Sequence, residues 1–324
     1  MRKASVTAGA VVLGMVVTAI VASPVVGERA EAAPTCRGDR ITVADLATGC
    51  AVSTGTVVLP DGRRFAVPAP GSTVSALPVA ASGTADDGDV SITNAGRAGL
   101  AVRVDHAWTG SAAAVRQERD ALRSRLTATP QAATASKPSS CTNTTFTRLG
   151  FHWSAPVTWR YNPTGQKVSG AATIRSGADA WTGAIATCGR KVTSSASERF
   201  AGNTTQATGV TAAGGCGTSS GASVVGWGSL PSGTLAVTCV WSRSGVAVEV
   251  DQRYTTGQQW NTATTCSGPR FDLRGVATHE WGHAFGLGHT AQNSGLVMKP
   301  AATTCETGQR TLGLGDLRGI DALY

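Results

Sequence analysis

The eleven residues His279-Glu280-Trp281-Gly282-His283-Ala284-Phe285-Gly286-Leu287-Gly288-His289 constrain this 324-residue chain more than any other stretch. His279 and His283 are four apart, so a helix through them stacks both imidazoles on one face, within reach of one cation. His289 lies six residues further, where a continued helix would carry it away. Gly286 and Gly288 can take the left-handed conformation that ends a helix and turns the chain back. The sequence thus asks for a helix, a sharp stop and a return that converge on one point. Three histidines leave a zinc ion's fourth position to water, whereas structural zinc is closed by four protein ligands, often thiolates. Glu280 projects about 100° around the helix from His279, beside the metal and not onto it. It is placed as a general base: zinc brings the pKa of bound water to roughly 7, and a carboxylate can carry that proton to a leaving amine. The expected chemistry is metal-assisted amide hydrolysis.

A bare His-Glu-x-x-His can arise by chance, and two histidines at helical spacing are often surface residues. At this chain's own His, Glu and Gly frequencies the eleven-residue form arises in only a few sequences per million, roughly. Met298 follows His289 by nine residues, and the two other methionines, Met1 and Met15, lie in the N-terminal leader. Alone it would be read as core filler; after this motif it reads as a turn that puts a sulfur beneath the imidazoles.

With these residues the chain resembles a metzincin metallopeptidase, most of all the matrixin branch as found in secreted bacterial members. The resemblance spans roughly residues 141 to 324. It takes in Phe271-Asp272-Leu273-Arg274-Gly275-Val276-Ala277-Thr278 before the motif, Thr290 after it, Met298, and the closing Gly315-Asp316-Leu317-Arg318-Gly319-Ile320-Asp321-Ala322-Leu323-Tyr324. It implies an α+β fold with a mixed twisted sheet, a long active-site helix and a C-terminal helix. It also implies His279, His283 and His289 as ligands of one catalytic zinc, Glu280 as general base and Met298 as the turn methionine. Two departures limit it. Animal matrixins hold a second, structural zinc through further histidines, but only His106 and His152 lie outside the motif here, so one zinc is expected. Some metzincins place a metal-binding tyrosine two residues past the methionine; this chain has Pro300.

Arg2 and Lys3, a mostly apolar run from Ala8 to Ala22 and the small-residue signal Ala30-Glu31-Ala32 read as a secretory signal peptide over 1–32, with an uncleaved anchor reaching Val26 as the alternative. Eight cysteines, all after that leader, suit an oxidising exterior and four disulfides. Proximity favours 36 with 50, 141 with 188, 216 with 239 and 266 with 305, among the many pairings eight cysteines allow. No Cys-x-x-Cys occurs, which disfavours a thiolate zinc site. The net charge is +8, yet only 15% of residues are charged and no dense basic run appears. Nucleic-acid binding gains little from this.

The length permits two domains. Val-rich runs between Ile41 and Trp108 alternate with Gly, Pro and Asp turns, giving a small β-rich unit over 33–126 that ends in a helix from Ala112 to Leu126. Residues 127–140 have a linker's composition, and 141–324 would be the catalytic domain. The stretch from Ala33 to Ser140 is either a removable pro-region, making the chain a zymogen, or a retained binding module. Cys36 or Cys50 could block the zinc, but neither lies in the inhibitory sequence usual for matrixins, and their mutual disulfide is favoured.

Beyond the linker, Pro156 to Tyr161 reads as a first strand and Gly170 to Cys188 as a long helix with Ile174, Ala178, Trp181 and Ile185 on one stripe. Leu235 to Trp241 and Val246 to Val250 form a hairpin. Phe271 to Phe285 is the motif helix, with Trp281 and Phe285 on its buried face, and Gly315 to Leu323 is the last helix. The hairpin holding Val246 to Val250 is the candidate edge strand for an extended peptide, with Met298-Lys299-Pro300 behind the neighbouring pocket.

Asp86-Asp87-Gly88-Asp89 could ligate structural calcium but lacks the spaced acceptors of a known loop, so a solvated turn is favoured. The leading expectation is a secreted, monomeric zinc endopeptidase acting on peptide or protein substrates, with no membrane insertion once the leader is gone. The alternative is a secreted binding or adhesion protein that uses the β-rich unit and keeps the zinc fold as a scaffold.

Overall fold

Central strands buried on both faces carry near-continuous apolar runs, and Ser223–Gly228, Thr234–Arg243 and Ser72–Ala81 have that character. In the computed structural model, which describes Cys36 and residues 39–50, 52–84, 88–126 and 139–324, these strands lie at the middle of a ten-stranded sheet. Its order is Glu198–Asn203, Val157–Tyr161, Ser223–Gly228, Val246–Thr255, Thr234–Arg243, Ser72–Ala81, Val90–Asn94, Leu100–Val104 and Ala107–Gly110; Ala301–Ala302 pairs beside Ser72–Ala81. The first four strands are mutually parallel and the remaining neighbours along this order are antiparallel. The expected leader at 1–32, residues 127–138 of the expected linker and Asp86-Asp87 lie outside the described residues. Among the described residues no helix is long and apolar enough to cross a membrane.

Pro78 can occupy a central strand because its missing N–H faces a gap. Ala80 donates its N–H to Pro300 on the far side of the strand and Ala81 donates to Gly233 on the near side. Pro78 therefore points its ring to the far side, between the pairing with Val90–Asn94, which ends at Ala76, and that with Ala301, which starts at Ala80.

Two cores lie against the sheet. One holds Leu77, Val79, Val240 and Val250 with the motif helix residues Val276, Ala277, Trp281 and Ala284. The other joins Ile41, Phe65, Ile92 and Val102 to Val210, Val237, Cys239 and Trp241, so residues from both ends of the chain share it. All four disulfides follow the proximity pairing: Cys36–Cys50, Cys141–Cys188, Cys216–Cys239 and Cys266–Cys305.

Two elements differ from the sequence reading. The long helix expected over Gly170 to Cys188 is only Ala171–Asp179. Gly183, at φ +64°, sends the chain into a hairpin of Gly183–Thr187 with Arg190–Ser194, turned at Cys188 and Gly189, both with positive φ. Ile185 still reaches the core, from a strand. Val246–Thr255 is not an edge: it lies between Ser223–Gly228 and Thr234–Arg243. The other arm of its hairpin carries the pairing with Ser72–Ala81, because Val246–Thr255 is already paired with a strand on each side.

Candidate metal centre

The motif helix runs Leu273–Ala284, capped by Asp272, whose side chain accepts the Gly275 N–H at 3.2 Å. Arg310 grips the same carboxylate through Nε and Nη2, each at 2.6 Å. Every residue from Val276 to Ala284 is buried, and Trp281 and Phe285 are wholly so. The helix stops where expected, with Gly286 at φ +102° and its N–H donated to His283 O. A Cβ there would meet the Phe151 carbonyl oxygen. Gly288 does not take the left-handed conformation the sequence reading allowed; Leu287–Gly288 is extended and pairs with Thr147–Arg148, which carries His289 back to the helix.

The three imidazoles meet at their Nε2 atoms, 2.9 Å apart for His279 and His283, and 3.2 Å from each of these to His289. They form the one group of three or more His, Cys, Asp or Glu residues, among the described residues, that could hold a metal ion. His279 Nδ1 donates to Val297 O and His283 Nδ1 to Leu287 O, both at 2.8 Å. Each ring's proton is therefore on Nδ1, and the Nε2 lone pairs face one another. Burial holds His283 down to about 3, helped by His289, and holds His279 well below the usual imidazole range. Neutral imidazoles with converging lone pairs repel unless a cation sits between them. Zinc–nitrogen bonds of about 2.0–2.1 Å in a tetrahedron require the nitrogens roughly 3.3 Å apart, so the cluster fits zinc.

Glu280 is wholly buried. Its Oε2 accepts a 2.5 Å hydrogen bond from Thr238 Oγ1, and its Oε1 has no partner among the described residues. Burial pushes its carboxyl up to about 8, against the pull of the Thr238 bond. An unsatisfied buried carboxylate oxygen beside three convergent nitrogens is what a proton acceptor for a water at this centre requires.

Met298 lies beneath the helix, where a Cβ on Gly282 would collide with its sulfur and crowd Trp181. That glycine permits the close approach. Three residues without a sequence signature support the centre. Asp316, on the last helix Leu314–Asp321, accepts the Val297 N–H at 2.9 Å and the Gly313 N–H at 2.8 Å, fixing the turn that carries Met298. Gln309 donates to Val297 O, the same carbonyl that His279 uses. Asp89 stands with its carboxylate 3.2 Å from His289 Nδ1. Burial would raise its carboxyl, but His289, then His283 and His279, hold it well below the usual range. Asp89 lies in the run expected to be a solvated turn, yet its side chain is turned onto His289; nothing in the sequence placed Asp316 at the Met298 turn or Thr238 against Glu280. His106 and His152 stand apart from the cluster. His106 lines a cleft with His289 and Asp89, and His152 bridges to Val246.

A mixed sheet over a buried helix that ends at three convergent histidines is the arrangement that the resemblance to a metzincin-like zinc metallopeptidase implies. More particularly, the family model described as Matrixin matches residues 231–324, from the Thr234–Arg243 strand to the end of the chain. A search of curated proteins found no match.

Proposed function

We propose that the chain is a secreted zinc endopeptidase, exported by the leader at 1–32, and that His279, His283 and His289 hold one zinc while Glu280 is its general base. The observation that supports this most is the triangle of Nε2 atoms beside the unpartnered Glu280 Oε1. A bound zinc ion would polarise the scissile carbonyl and acidify a water. The protein's part is proton handling. Glu280 Oε1 accepts the proton of the attacking water and delivers it to the leaving nitrogen, while Thr238 keeps the carboxylate aimed through Oε2. The Met298 turn and Asp316 keep Val297 O in place to orient His279.

Glu280→Ala should retain about one zinc per chain and lose roughly 10²–10⁴-fold in peptide hydrolysis. Unchanged turnover with zinc still bound would remove Glu280 from the mechanism. The second reading, a secreted binding protein with the zinc fold as scaffold, draws on the complete burial of His279, Glu280 and His283; zinc-loaded protein that stays inactive in every processed form would favour it.

A further inference from the structure

His279, Glu280 and His283 are all 0% exposed, while His289 keeps some exposure at the cleft it lines with Asp89; on the helix side of the centre the Ser72–Ala81 strand packs into the same core as the motif helix. It pairs antiparallel with Thr234–Arg243, Leu77 lying opposite Thr238, the residue bonded to Glu280. On its other side Ala80 and Ala81 pair with Ala301 and Ala302, just beyond the Met298 turn. The strand thus lies between the residue that aims the general base and the segment behind the neighbouring pocket, taking backbone hydrogen bonds from both. That is how an extended peptide binds a sheet edge, the backbone supplying affinity and alternate side chains supplying selectivity. Leu77 and Val79, two residues apart, are 0% exposed and enter the core that contains the motif helix. Eight residues beyond the end of the strand, Asp89 reaches His289. No thiol is available to do this work among the described residues, because Cys36 and Cys50 bond each other.

We propose that Ser72–Ala81 is a built-in, substrate-like occupant of the peptide groove. It closes the site in the full chain, and it displays the side chains the groove accepts: aliphatic ones where Leu77 and Val79 stand. The proposal rests on the peptidase reading, with the following distinction. The strand, and not a cysteine, is the closing element, so opening requires displacing ten residues of backbone pairing, and reduction of a thiol contact plays no part.

The test uses the full chain loaded with zinc. Leu77→Ala/Val79→Ala should keep the near-ultraviolet circular dichroism of the parent while a chelator removes zinc about tenfold faster, as expected when local opening becomes easier. The same variant should cleave a fluorogenic peptide about tenfold faster, and prefer leucine or valine over aspartate or lysine at the variable position. Faster zinc removal with no cleavage of any peptide would uphold the closing strand and sink the peptidase reading instead. Unchanged zinc removal in a folded variant would overturn the proposal, and equal cleavage of charged and aliphatic peptides would overturn its selectivity. Should the variant not fold, hydrogen exchange on the unaltered protein decides. Amides of Leu77, Val79, Ala80 and Ala81 should exchange as slowly as those of Val157–Tyr161; exchange faster by about a hundredfold would mean the strand does not seal the groove.

Discussion

The first two histidines and the third are held in different ways. His279 and His283 share one helix, and their Nδ1 atoms donate to Val297 O and Leu287 O. Both carbonyls come from the chain within twenty residues of the rings. His289 arrives on an extended return, and the group facing its Nδ1 is Asp89, two hundred residues earlier in the sequence. Backbone carbonyls of a folded turn are fixed once the turn is made. A carboxylate from a distant segment is fixed only when the whole sheet has assembled. Two-thirds of the cluster is therefore local and one-third depends on long-range structure.

The largest effect should come from the local pair. His283→Ala should reduce bound zinc from about one per chain to near zero by elemental analysis, because two imidazoles do not make a closed face for the ion. Zinc retained at full stoichiometry would mean that other groups hold it. Next comes the turn beneath the helix. Asp316→Ala would leave the Val297 and Gly313 N–H groups buried without acceptors, costing about 3 kcal/mol in denaturant unfolding. A loss below about 1 kcal/mol would show that the turn holds without it. The distant contact is weaker still. Asp89→Ala should keep a full zinc complement but lower affinity about 10–100-fold in competition with a chromophoric chelator, as for other partners of a metal-bound imidazole. Parent-like affinity would mean that the return strand alone aims His289.

This division also explains what could be read in advance. Spacing alone placed His279, His283 and the stop at Gly286, because helix geometry is set by neighbours in sequence. The resemblance put Met298 in a turn beneath the imidazoles, and β-rich runs gave the strands read as Pro156 to Tyr161 and Leu235 to Trp241, found as Val157–Tyr161 and Thr234–Arg243. Spacing misjudged Gly170 to Cys188, where Ile174, Ala178, Trp181 and Ile185 fit a helical stripe. The last of these is buried from a strand after Gly183 turns the chain. Periodicity cannot tell one buried face from two successive ones. The insertion of Ser72–Ala81 beside Thr234–Arg243 was not legible, since strand order is a tertiary choice among similar Val- and Ala-rich runs. With it went the role of Thr238, the contact of Asp89 and the covering of the centre.

Buried carboxylates on the two sides of the sheet extend the contrast to pH. Asp316 supports the metal centre, and Asp251, on Val246–Thr255, ties the loop at Gly209 to the neighbouring strand Ser223–Gly228 by accepting the Gly209 and Val224 N–H groups at 2.5 and 2.6 Å. Burial pushes Asp316 to about 6 and Asp251 to about 7, in each case against the pull of its hydrogen bonds. A carboxyl whose folded pKa lies above its unfolded value binds more protons in the native state. Its contribution to stability is complete below the unfolded pKa near 3.9 and is lost as pH rises through the folded value. Above pH 6 Asp316 has given up most of its share, while Asp251 is still titrating, as is Glu280 at the metal centre. Stability should fall by about 1 kcal/mol between pH 6 and pH 8 from Asp251 alone. Asp251→Asn should be less stable at acid pH, having lost one acceptor, yet show a flatter profile over the same interval in denaturant unfolding of the zinc-loaded protein. A variant whose slope matches the parent's would shift the titration to another group and leave Asp251 ionised throughout.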